Sequence, residues 1–212
     1  MLLKDLIANN KITENLFKEL NQEILLHEVK GISSNSKEIK KDYIFVAIKG
    51  EKFDGADFIT EAEENGAFLI IAEKSYKKNV LFIKRENVRH IYTILLASFY
   101  SKQPKQIIGV TGTNGKTSTV EFCRQLWALA GWKSASMGTL GTKTETAVNK
   151  SIYKNSKENL TTFEPSDLYE NLKLLAHEKI SHLALEASSH GIDQYRLDGV
   201  KFSGAVFTNL SH

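Results

Sequence analysis

A glycine-rich turn between an apolar segment and a helix-forming segment constrains this chain more than any other feature. The apolar segment predicts a strand over 106–110, the turn is Gly112-Thr113-Asn114-Gly115, and Lys116 and Thr117 begin a predicted helix. In that order, backbone N–H groups and a helix N-terminus converge on one spot, where an anion can bind. The glycines let the anion approach the backbone without interference from a Cβ atom. The feature therefore predicts a phosphate-binding loop.

The side chains after the turn indicate which phosphate compound binds. Lys116 provides a positive charge for the β- and γ-phosphates of a nucleotide, and the hydroxyl of Thr117 is a suitable ligand for Mg²⁺. The run departs from the general pattern G-x-x-x-x-G-K-[ST], because Val110 stands at the first glycine position. A glycine-rich turn without a ligand would leave the Gly-Lys-Thr run at the helix start unexplained. We therefore predict ATP and Mg²⁺ as cofactors, with the nucleotide on Gly112, Thr113, Asn114, Gly115, Lys116, Thr117 and Ser118.

Alternating apolar segments predict an α/β fold in two domains. Strands are predicted over 43–48, 68–72, 80–83, 106–110, 134–137, 182–187 and 204–208, and helices over 58–64, 88–100, 117–130 and 165–178. Helices between short strands rich in Val, Ile and Leu favour a mostly parallel sheet covered on both faces. We predict a boundary near residue 85, which gives domains 1–84 and 85–212. Residues 141–160, rich in Thr, Lys and Asn, are predicted to form a loop.

Composition and charge exclude several classes of protein. The chain has 28 Lys and Arg residues against 25 Asp and Glu residues, and the formal charge of +3 is spread along its length, so nucleic acid is not an expected partner. Lys4 and Asp5 interrupt the first apolar stretch, which argues against a signal peptide. No run of about 18 apolar residues is present, so no membrane span is expected. We expect a cytoplasmic protein.

Several motifs share one family resemblance. The run from Gly109 to Thr117 resembles the phosphate loop of the Mur ligases, ATP-dependent enzymes that form amide bonds in peptidoglycan synthesis. Further segments are similar to the member that adds the third residue of the peptide: Thr161-Thr162; Leu185-Glu186-Ala187-Ser188-Ser189-His190-Gly191-Ile192, followed by Gln194 and Arg196; and Phe207-Thr208-Asn209-Leu210-Ser211. Segments 34–37 and 43–47, with Gly50 and Asp54-Gly55, are similar to the uridine-binding domain of the third- and fourth-residue ligases.

The chain departs from the family pattern at four places. Asn35-Ser36-Lys37 stands where the family has Asp-Ser-Arg, which keeps a cation and loses the planar guanidinium. Leu160 replaces the asparagine before the paired threonines, and Ala187 replaces a common valine. The sequence also ends before the Asp-His-Leu-Asp stretch, the modified lysine and the amino-acid-binding domain of the family. We expect a truncated chain.

The resemblance implies a fold and an activity. The fold would be a small N-terminal α/β uridine-binding domain followed by an incomplete phosphate-loop ATPase domain with a mostly parallel sheet, without the C-terminal domain. The activity would be addition of an amino acid, diaminopimelate or lysine, to UDP-N-acetylmuramoyl-L-Ala-D-Glu through an acyl phosphate. The intact protein would be a monomer, and this fragment alone would be inactive.

The resemblance also implies roles for individual residues. Lys116, Glu186 and His190 would be catalytic, and Thr117 and Glu186 would bind Mg²⁺. The sequence supports Glu186 independently, because it follows the apolar run 183–185 at the carboxyl end of a strand, where parallel sheets hold ligand groups. The residues implied to bind the UDP-linked substrate are Ser34, Ser36, Thr161, Thr162, Ser188, Gln194 and Arg196.

Each of these interpretations has a structural alternative. Glu186 could pair with a lysine, Arg196 could be a solvated surface arginine, and His190 could be a hydrogen-bonded structural residue. Thr161 and Thr162 could cap the helix that begins at Pro165, and Ser34 and Ser36 could form a turn. For the whole chain, the alternatives are a phosphate-loop kinase or ATPase with an unrelated recognition domain, a MurF-like member of the family, or a module that binds UDP-linked substrate without turnover.

Overall fold

The chain forms two compact units in a computed structural model, Met1–Phe99 and Tyr100–His212. The structure describes residues 1–7, 11–18, 20–50, 53–76, 80–145, 153–154 and 160–211. The division comes later than the predicted boundary near residue 85, because the helix Val88–Tyr100 belongs almost wholly to the first unit. Arg89 in this helix donates a hydrogen bond to the carbonyl of Lys49, at 3.0 Å. Within the described part of the chain, no helix is both long enough and apolar enough to span a membrane.

The first unit is built on a four-stranded parallel sheet. Its strands are β1 (Gly31–Ser33), β2 (Tyr43–Ala47), β3 (Ala67–Ala72) and β4 (Leu81–Lys84), and its helices are α1 (Leu3–Ile7), α2 (Lys11–Phe17), α3 (Gln22–Leu25), α4 (Ile59–Glu64) and α5 (Val88–Tyr100). The strand order is β1-β2-β3-β4. Strands β2 and β3 are almost entirely apolar, as expected for parallel strands buried on both faces. Phe45, Ile59 and Ile70 pack together in the core of the unit.

The second unit is built on a five-stranded sheet in the order β7-β6-β8-β5-β9. Its strands are β5 (Gln106–Thr111), β6 (Ser134–Gly138), β7 (Gly141–Thr144), β8 (His182–Glu186) and β9 (Gly204–Phe207), and its helices are α6 (Lys116–Leu129), α7 (Pro165–His177) and α8 (Ser189–Asp193). All pairs are parallel except β6 with β7. The predicted α/β class with mostly parallel sheets is confirmed, and the predicted strands and long helices agree with the structure to within about one residue at each end.

The loop predicted over 141–160 is partly wrong. Residues 141–144 form β7, which turns back onto β6 as a hairpin. Gly141 adopts a φ of 79°, a conformation that glycine tolerates without strain, and the β-branched side chains of Thr142 and Thr144 suit a strand. The rest of that predicted loop, over 146–152 and 155–159, lies outside the described residues.

Strand register brings two predicted site segments together. Val110 at the end of β5 pairs with Glu186 at the end of β8, and both strands run in the same direction. The turn after β5 and the segment after β8 therefore leave the sheet at the same edge. Ligand groups in open parallel sheets lie at this carboxyl edge.

We predict that Phe45→Ala destabilises the first unit by about 3–5 kcal/mol, because it empties a fully buried aromatic site. The matched control is Phe53→Ala in the same unit, where the side chain is 69% exposed and the expected cost is below about 1 kcal/mol. Urea denaturation followed by circular dichroism measures both changes. Equal losses for the two variants would contradict the assignment of Phe45 to the core.

Candidate nucleotide and substrate site

The phosphate loop has a backbone shape that requires glycine at two positions. Gly112 has a φ of 133° and Gly115 a φ of 83°, both in the region that side chains disfavour. A Cβ atom on Gly112 would lie 2.1 Å from the hydroxyl oxygen of Thr208. The ammonium of Lys116 bridges the loop, donating to the carbonyl oxygens of Gly112 at 2.6 Å and Thr113 at 3.0 Å. The loop is therefore a closed turn with a positive charge held beside it.

The start of α6 presents N–H groups that the helix itself does not use. Gly115 is its N-cap, and the first hydrogen bond of the helix runs from the N–H of Thr119 to the carbonyl of Gly115, at 3.0 Å. The N–H groups before Thr119 have no acceptor inside the helix, and the helix dipole adds partial positive charge at this end. The start of α6 therefore suits a phosphate group.

A segment that the sequence interpretation left without a site role lies against the loop. The carbonyl of Asn209 accepts from the N–H of Thr113 at 2.9 Å, and its side-chain oxygen accepts from the N–H of Asn114 at 3.1 Å. The hydroxyl of Thr208 donates to the carbonyl of Asn114 at 2.6 Å. The family resemblance marked this segment, but its contact with the loop depends on the pairing of β9 with β5, which local sequence does not reveal.

Glu186 is a buried carboxylate at the end of β8, with only 1% of its surface exposed. One of its oxygens accepts from the N–H of Thr139 at 3.1 Å, and the other accepts from the hydroxyl of Thr139 at 3.2 Å. Gly138 is required beside it, since a Cβ atom there would lie 2.3 Å from a carboxylate oxygen. Among the described residues the carboxylate has no ion pair with a lysine, so that alternative is not supported. Sequence reasoning missed Thr139, which lies in the turn between β6 and β7.

The paired threonines connect Glu186 to the segment that follows it. The hydroxyl of Thr162 contacts that of Ser188 at 2.9 Å, and it accepts from the N–H of Ser188, also at 2.9 Å. The hydroxyl oxygens of Thr161 and Thr139 lie 3.2 Å apart. The alternative that these threonines cap the next helix is wrong, because the N-cap of α7 is Glu164.

Ser188 and Gly191 form the tight turn that receives Thr162. Ser188 is the N-cap of α8, and its side-chain oxygen accepts from the N–H of Gly191 at 3.1 Å. A Cβ atom on Gly191 would lie 2.6 Å from the Cβ of Thr162. The glycine of the Ser-Ser-His-Gly run is therefore needed so that the threonine can approach the helix.

Arg196 is buried, with 6% of its surface exposed, so the alternative of a solvated surface arginine is wrong. Its Nη1 donates to the carbonyl of Thr162 at 2.8 Å, and its Nη2 forms an ion pair with Glu164 at 2.9 Å. Its Nε and Nη2 donate to the side-chain oxygen of Gln194, at 3.1 and 2.7 Å. The guanidinium thus connects the segment around Thr162 to the side chain of Gln194.

Gln194 links Arg196 to His190. Because the side-chain oxygen of Gln194 accepts from Arg196, its amide nitrogen faces Nε2 of His190, at 2.8 Å. An amide nitrogen only donates, so Nε2 of the histidine accepts and the ring proton lies on Nδ1. His190 itself is exposed. The three side chains form a chain of hydrogen bonds from a buried cation to an exposed imidazole.

The serines predicted to bind substrate lie in the first unit. Ser36 is buried, and its hydroxyl donates to the carboxylate of Glu61. Asn35 caps the short 3₁₀ helix Ser36–Glu38, with its side-chain oxygen accepting from the N–H of Lys37 at 3.1 Å. Ser34 precedes this turn and is half-buried. These contacts support the turn alternative for Ser36, whereas Ser34 stays a candidate ligand.

Comparison with known protein families shows which family the two units belong to. The family model described as Mur ligase family, catalytic domain, matches residues 28–102, and the model described as Mur ligase middle domain matches residues 110–212. The chain belongs to the Mur ligase family. The resemblance seen in its motifs is therefore confirmed.

Individual Mur ligases are similar over most of this chain. It is 42% identical over 186 residues to the UDP-N-acetylmuramoyl-L-alanyl-D-glutamate--2,6-diaminopimelate ligase of Brucella melitensis. That match covers 86% of this chain and 37% of the relative. It is 40% identical to the protein of the same name from Bradyrhizobium diazoefficiens, over 100% of this chain and 41% of the relative. The chain therefore spans about two fifths of the length of the curated relatives it matches.

Solved structures of Mur ligases have the same fold. A structure of a UDP-N-acetylmuramoyl-L-alanyl-D-glutamate--2,6-diaminopimelate ligase matches with a TM-score of 0.76 at 26% identity, covering 94% of this chain and 40% of that one. The MurF ligase of Thermotoga maritima, in complex with ADP, matches with a TM-score of 0.55 at 24% identity, covering 85% of this chain and 38% of that one. The MurF likeness supports the fold alone.

The donor atoms of this Mur ligase chain suit Mg²⁺ at the strand end. The described residues contain no group of three or more His, Cys, Asp or Glu side chains that could hold a metal ion. Glu186 and Thr117 instead provide one carboxylate and one hydroxyl, and Val110 just before the loop is paired with Glu186. Mg²⁺ typically takes one or two protein oxygens and completes its shell with waters and substrate phosphates. The residues present therefore fit this ion.

We predict that Gly191→Ala destabilises the second unit by about 1–3 kcal/mol, because the added methyl group forces Thr162 away from Ser188. Gly204→Ala is the matched control, since a Cβ atom there meets only Ile108, at 3.9 Å. Urea denaturation measures the free energy of unfolding of both variants. If the two glycines tolerate alanine equally well, Thr162 does not pack against α8 as described.

Proposed function

We propose that this chain is the N-terminal part of an ATP- and Mg²⁺-dependent ligase of peptidoglycan synthesis. The ligase adds the third amino acid to UDP-N-acetylmuramoyl-L-Ala-D-Glu. One observation carries the proposal: the phosphate loop and the buried carboxylate of Glu186 leave paired strands at one sheet edge, in a chain about 40% identical to ligases of that name. The names of these relatives favour diaminopimelate over lysine as the amino acid.

The reaction needs charge neutralisation more than it needs a protein nucleophile. A substrate carboxylate attacks the γ-phosphorus of ATP and ADP leaves; the amine of the amino acid then attacks the acyl phosphate and inorganic phosphate leaves. The N–H groups at the start of α6 and the ammonium of Lys116 stabilise the phosphate charge. Thr117 and Glu186 would hold Mg²⁺, which would supply further positive charge to neutralise the phosphates.

The threonine and serine cluster supports the substrate role of the same edge. Thr161 and Ser188 present hydroxyls beside Thr139 and Thr162, the two threonines that contact Glu186, and Arg196 holds Thr162 and Gln194 in position. Such groups can bind the sugar and peptide of the UDP-linked substrate, with the exposed imidazole of His190 as a neighbour. In the first unit, Ser34 is the candidate for the uridine contact, with Ser36 shaping the turn beside it.

Two further properties belong to the proposal. ATP and the UDP-linked substrate are cytoplasmic compounds, which favours a cytoplasmic protein, and we propose that the protein is a monomer. Because the chain spans only about two fifths of its relatives, we propose that it binds nucleotide without completing the ligation. A phosphate-loop kinase with an unrelated first domain is disfavoured, since residues 28–102 match a Mur ligase model as well.

We predict that Lys116→Ala lowers the affinity for Mg-ATP at least tenfold, because it removes the ammonium that lies on the loop. In the full-length ligase the same change is expected to abolish phosphate release. Isothermal titration calorimetry on the chain and a phosphate assay on the ligase measure the two effects. Lys201→Ala, an exposed lysine of the same unit, is the control and should bind normally.

Three results would redirect the proposal. Unchanged turnover in Lys116→Ala would remove the loop from the mechanism. Binding of UDP-muramoyl-dipeptide without any binding of ATP would indicate a binding-only module. Phosphate transfer to a small acceptor with no need for an amine would indicate a kinase.

We predict that Glu186→Gln raises the Mg²⁺ concentration needed for half-maximal ATP binding about tenfold or more, because an amide is a much weaker Mg²⁺ ligand than a carboxylate. The amide can keep both hydrogen bonds with Thr139, so the fold is expected to persist. A Mg²⁺ titration of ATP binding measures the effect. Asp193→Asn, an exposed carboxylate of α8, is the control, and an equal response in the two variants would exclude Glu186 as the metal ligand.

A further inference from the structure

Asn209 makes three hydrogen bonds with the phosphate loop, all of them to backbone groups of the loop. Its backbone carbonyl accepts from the N–H of Thr113, at 2.9 Å. Its side-chain oxygen accepts from the N–H of Asn114 at 3.1 Å, and its side-chain nitrogen donates to the carbonyl of Asn114 at 3.2 Å. Asn209 thus binds the N–H of Thr113 and both the N–H and the carbonyl of Asn114.

These contacts divide the N–H groups of the loop into two sets. The N–H groups of Thr113 and Asn114 are already bound to Asn209. By contrast, the N–H groups of Gly115, Lys116 and Thr117 donate no hydrogen bond within the part of the chain that the structure describes. Because a buried or partly buried N–H seeks a partner, the second set is the one left for a ligand.

The carbonyl of Asn114 is held in the same way. It accepts from the hydroxyl of Thr208 at 2.6 Å and from the side chain of Asn209. A peptide oxygen that turned toward a phosphate would repel it, and these two donors hold the oxygen on the side of the 208–209 segment. The 208–209 segment therefore determines which loop N–H groups are available to the anion, and it keeps the carbonyl of Asn114 away from the anion.

We propose that Asn209 is a positioning residue for the phosphate loop, and that the phosphates of the nucleotide bind to the N–H groups of Gly115, Lys116 and Thr117 rather than to those of Thr113 and Asn114. This inference rests on the proposed function, since it assigns the donors of the same nucleotide site. An asparagine suits the position because its amide both accepts and donates. An aspartate would keep the acceptor, lose the donor and add a negative charge beside the phosphates.

Affinity measurements test the positioning role. Asn209→Ala removes two side-chain hydrogen bonds and keeps the backbone one, so we expect the Kd for Mg-ATP of the 212-residue chain to rise about tenfold. Asn209→Asp is expected to lose more, and the extra loss should shrink as salt is raised. Leu210→Ala is the matched control, because Leu210 is adjacent and 78% exposed. An affinity in Asn209→Ala equal to that of the control would overturn the positioning role.

Amide spectroscopy tests the division of donors. In a ¹H–¹⁵N titration with Mg-ATP, the amide signals of Gly115, Lys116 and Thr117 should shift strongly, and those of Thr113 and Asn114 should shift little.

Two further substitutions at position 209 test whether the amide group itself is needed. Asn209→Gln keeps both amide functions and should recover part of the affinity for Mg-ATP that Asn209→Ala loses, whereas Asn209→Ser should not. Equal shifts for all the loop amides, or no rescue by glutamine relative to serine, would overturn the proposal.

Hydrogen exchange separates this inference from the proposed function. Without any nucleotide, the N–H of Asn114 should exchange about tenfold faster in Asn209→Ala than in the unchanged chain, because it loses its acceptor. Faster exchange would support the positioning role of Asn209 even if the chain bound no ATP. Only the assignment of the nucleotide site would then fail. Unchanged exchange at Asn114 would overturn the positioning role of Asn209, whatever ligand the chain binds.

Discussion

The parallel pairing of β5 with β8 on one side and with β9 on the other is the constraint on which the site depends. Register sets Val110 beside Glu186 and Thr111 beside Phe207, so three separate segments leave the sheet at one edge. The phosphate loop follows the first strand, the buried carboxylate ends the second, and Asn209 follows the third. A slip of one residue in either pairing would turn the side chains to opposite faces of the sheet. The positions of the anion site, of the proposed metal ligand Glu186 and of Asn209 beside the loop thus all follow from one set of backbone hydrogen bonds.

The buried polar groups at this edge of the sheet must also find hydrogen-bond partners. A carboxylate as enclosed as Glu186 is unfavourable unless its oxygens are bonded, and Thr139 satisfies both of them. Arg196 is enclosed as well, and it is satisfied by Thr162, Gln194 and Glu164. Gly138 and Gly191 make these approaches possible, because a Cβ atom at either would occupy the space of its partner. The cluster rigidifies the segment that we propose holds the substrate, since fully bonded polar networks specify one arrangement.

Local pattern was sufficient for most of the fold and for the centre of the site. The strands around Phe45 and Ile70, and the Gly-Lys-Thr run at the start of α6, carry their structure in neighbouring residues, through apolar runs and the conformational freedom of glycine. The short hairpin strand β7 was missed, because its polar threonines resemble a loop until a partner strand is present. The sequence also left open whether Arg196 is buried or solvated, because a guanidinium has the same sequence signature in both cases.

By itself, the sequence determined that this chain is an α/β protein of the Mur ligase family with a phosphate loop, because turn chemistry and strand composition are local properties. Only the tertiary structure decided which groups serve the ligand and which serve the protein. Thr139 and Asn209 acquire their roles from strands far apart in sequence, and Arg196 donates to the carbonyl of Thr162, which lies 34 residues before it. The physical reason is that a hydrogen-bonding group has a fixed capacity. Which partner takes up that capacity depends on distance in space, which strand pairing sets and local sequence does not.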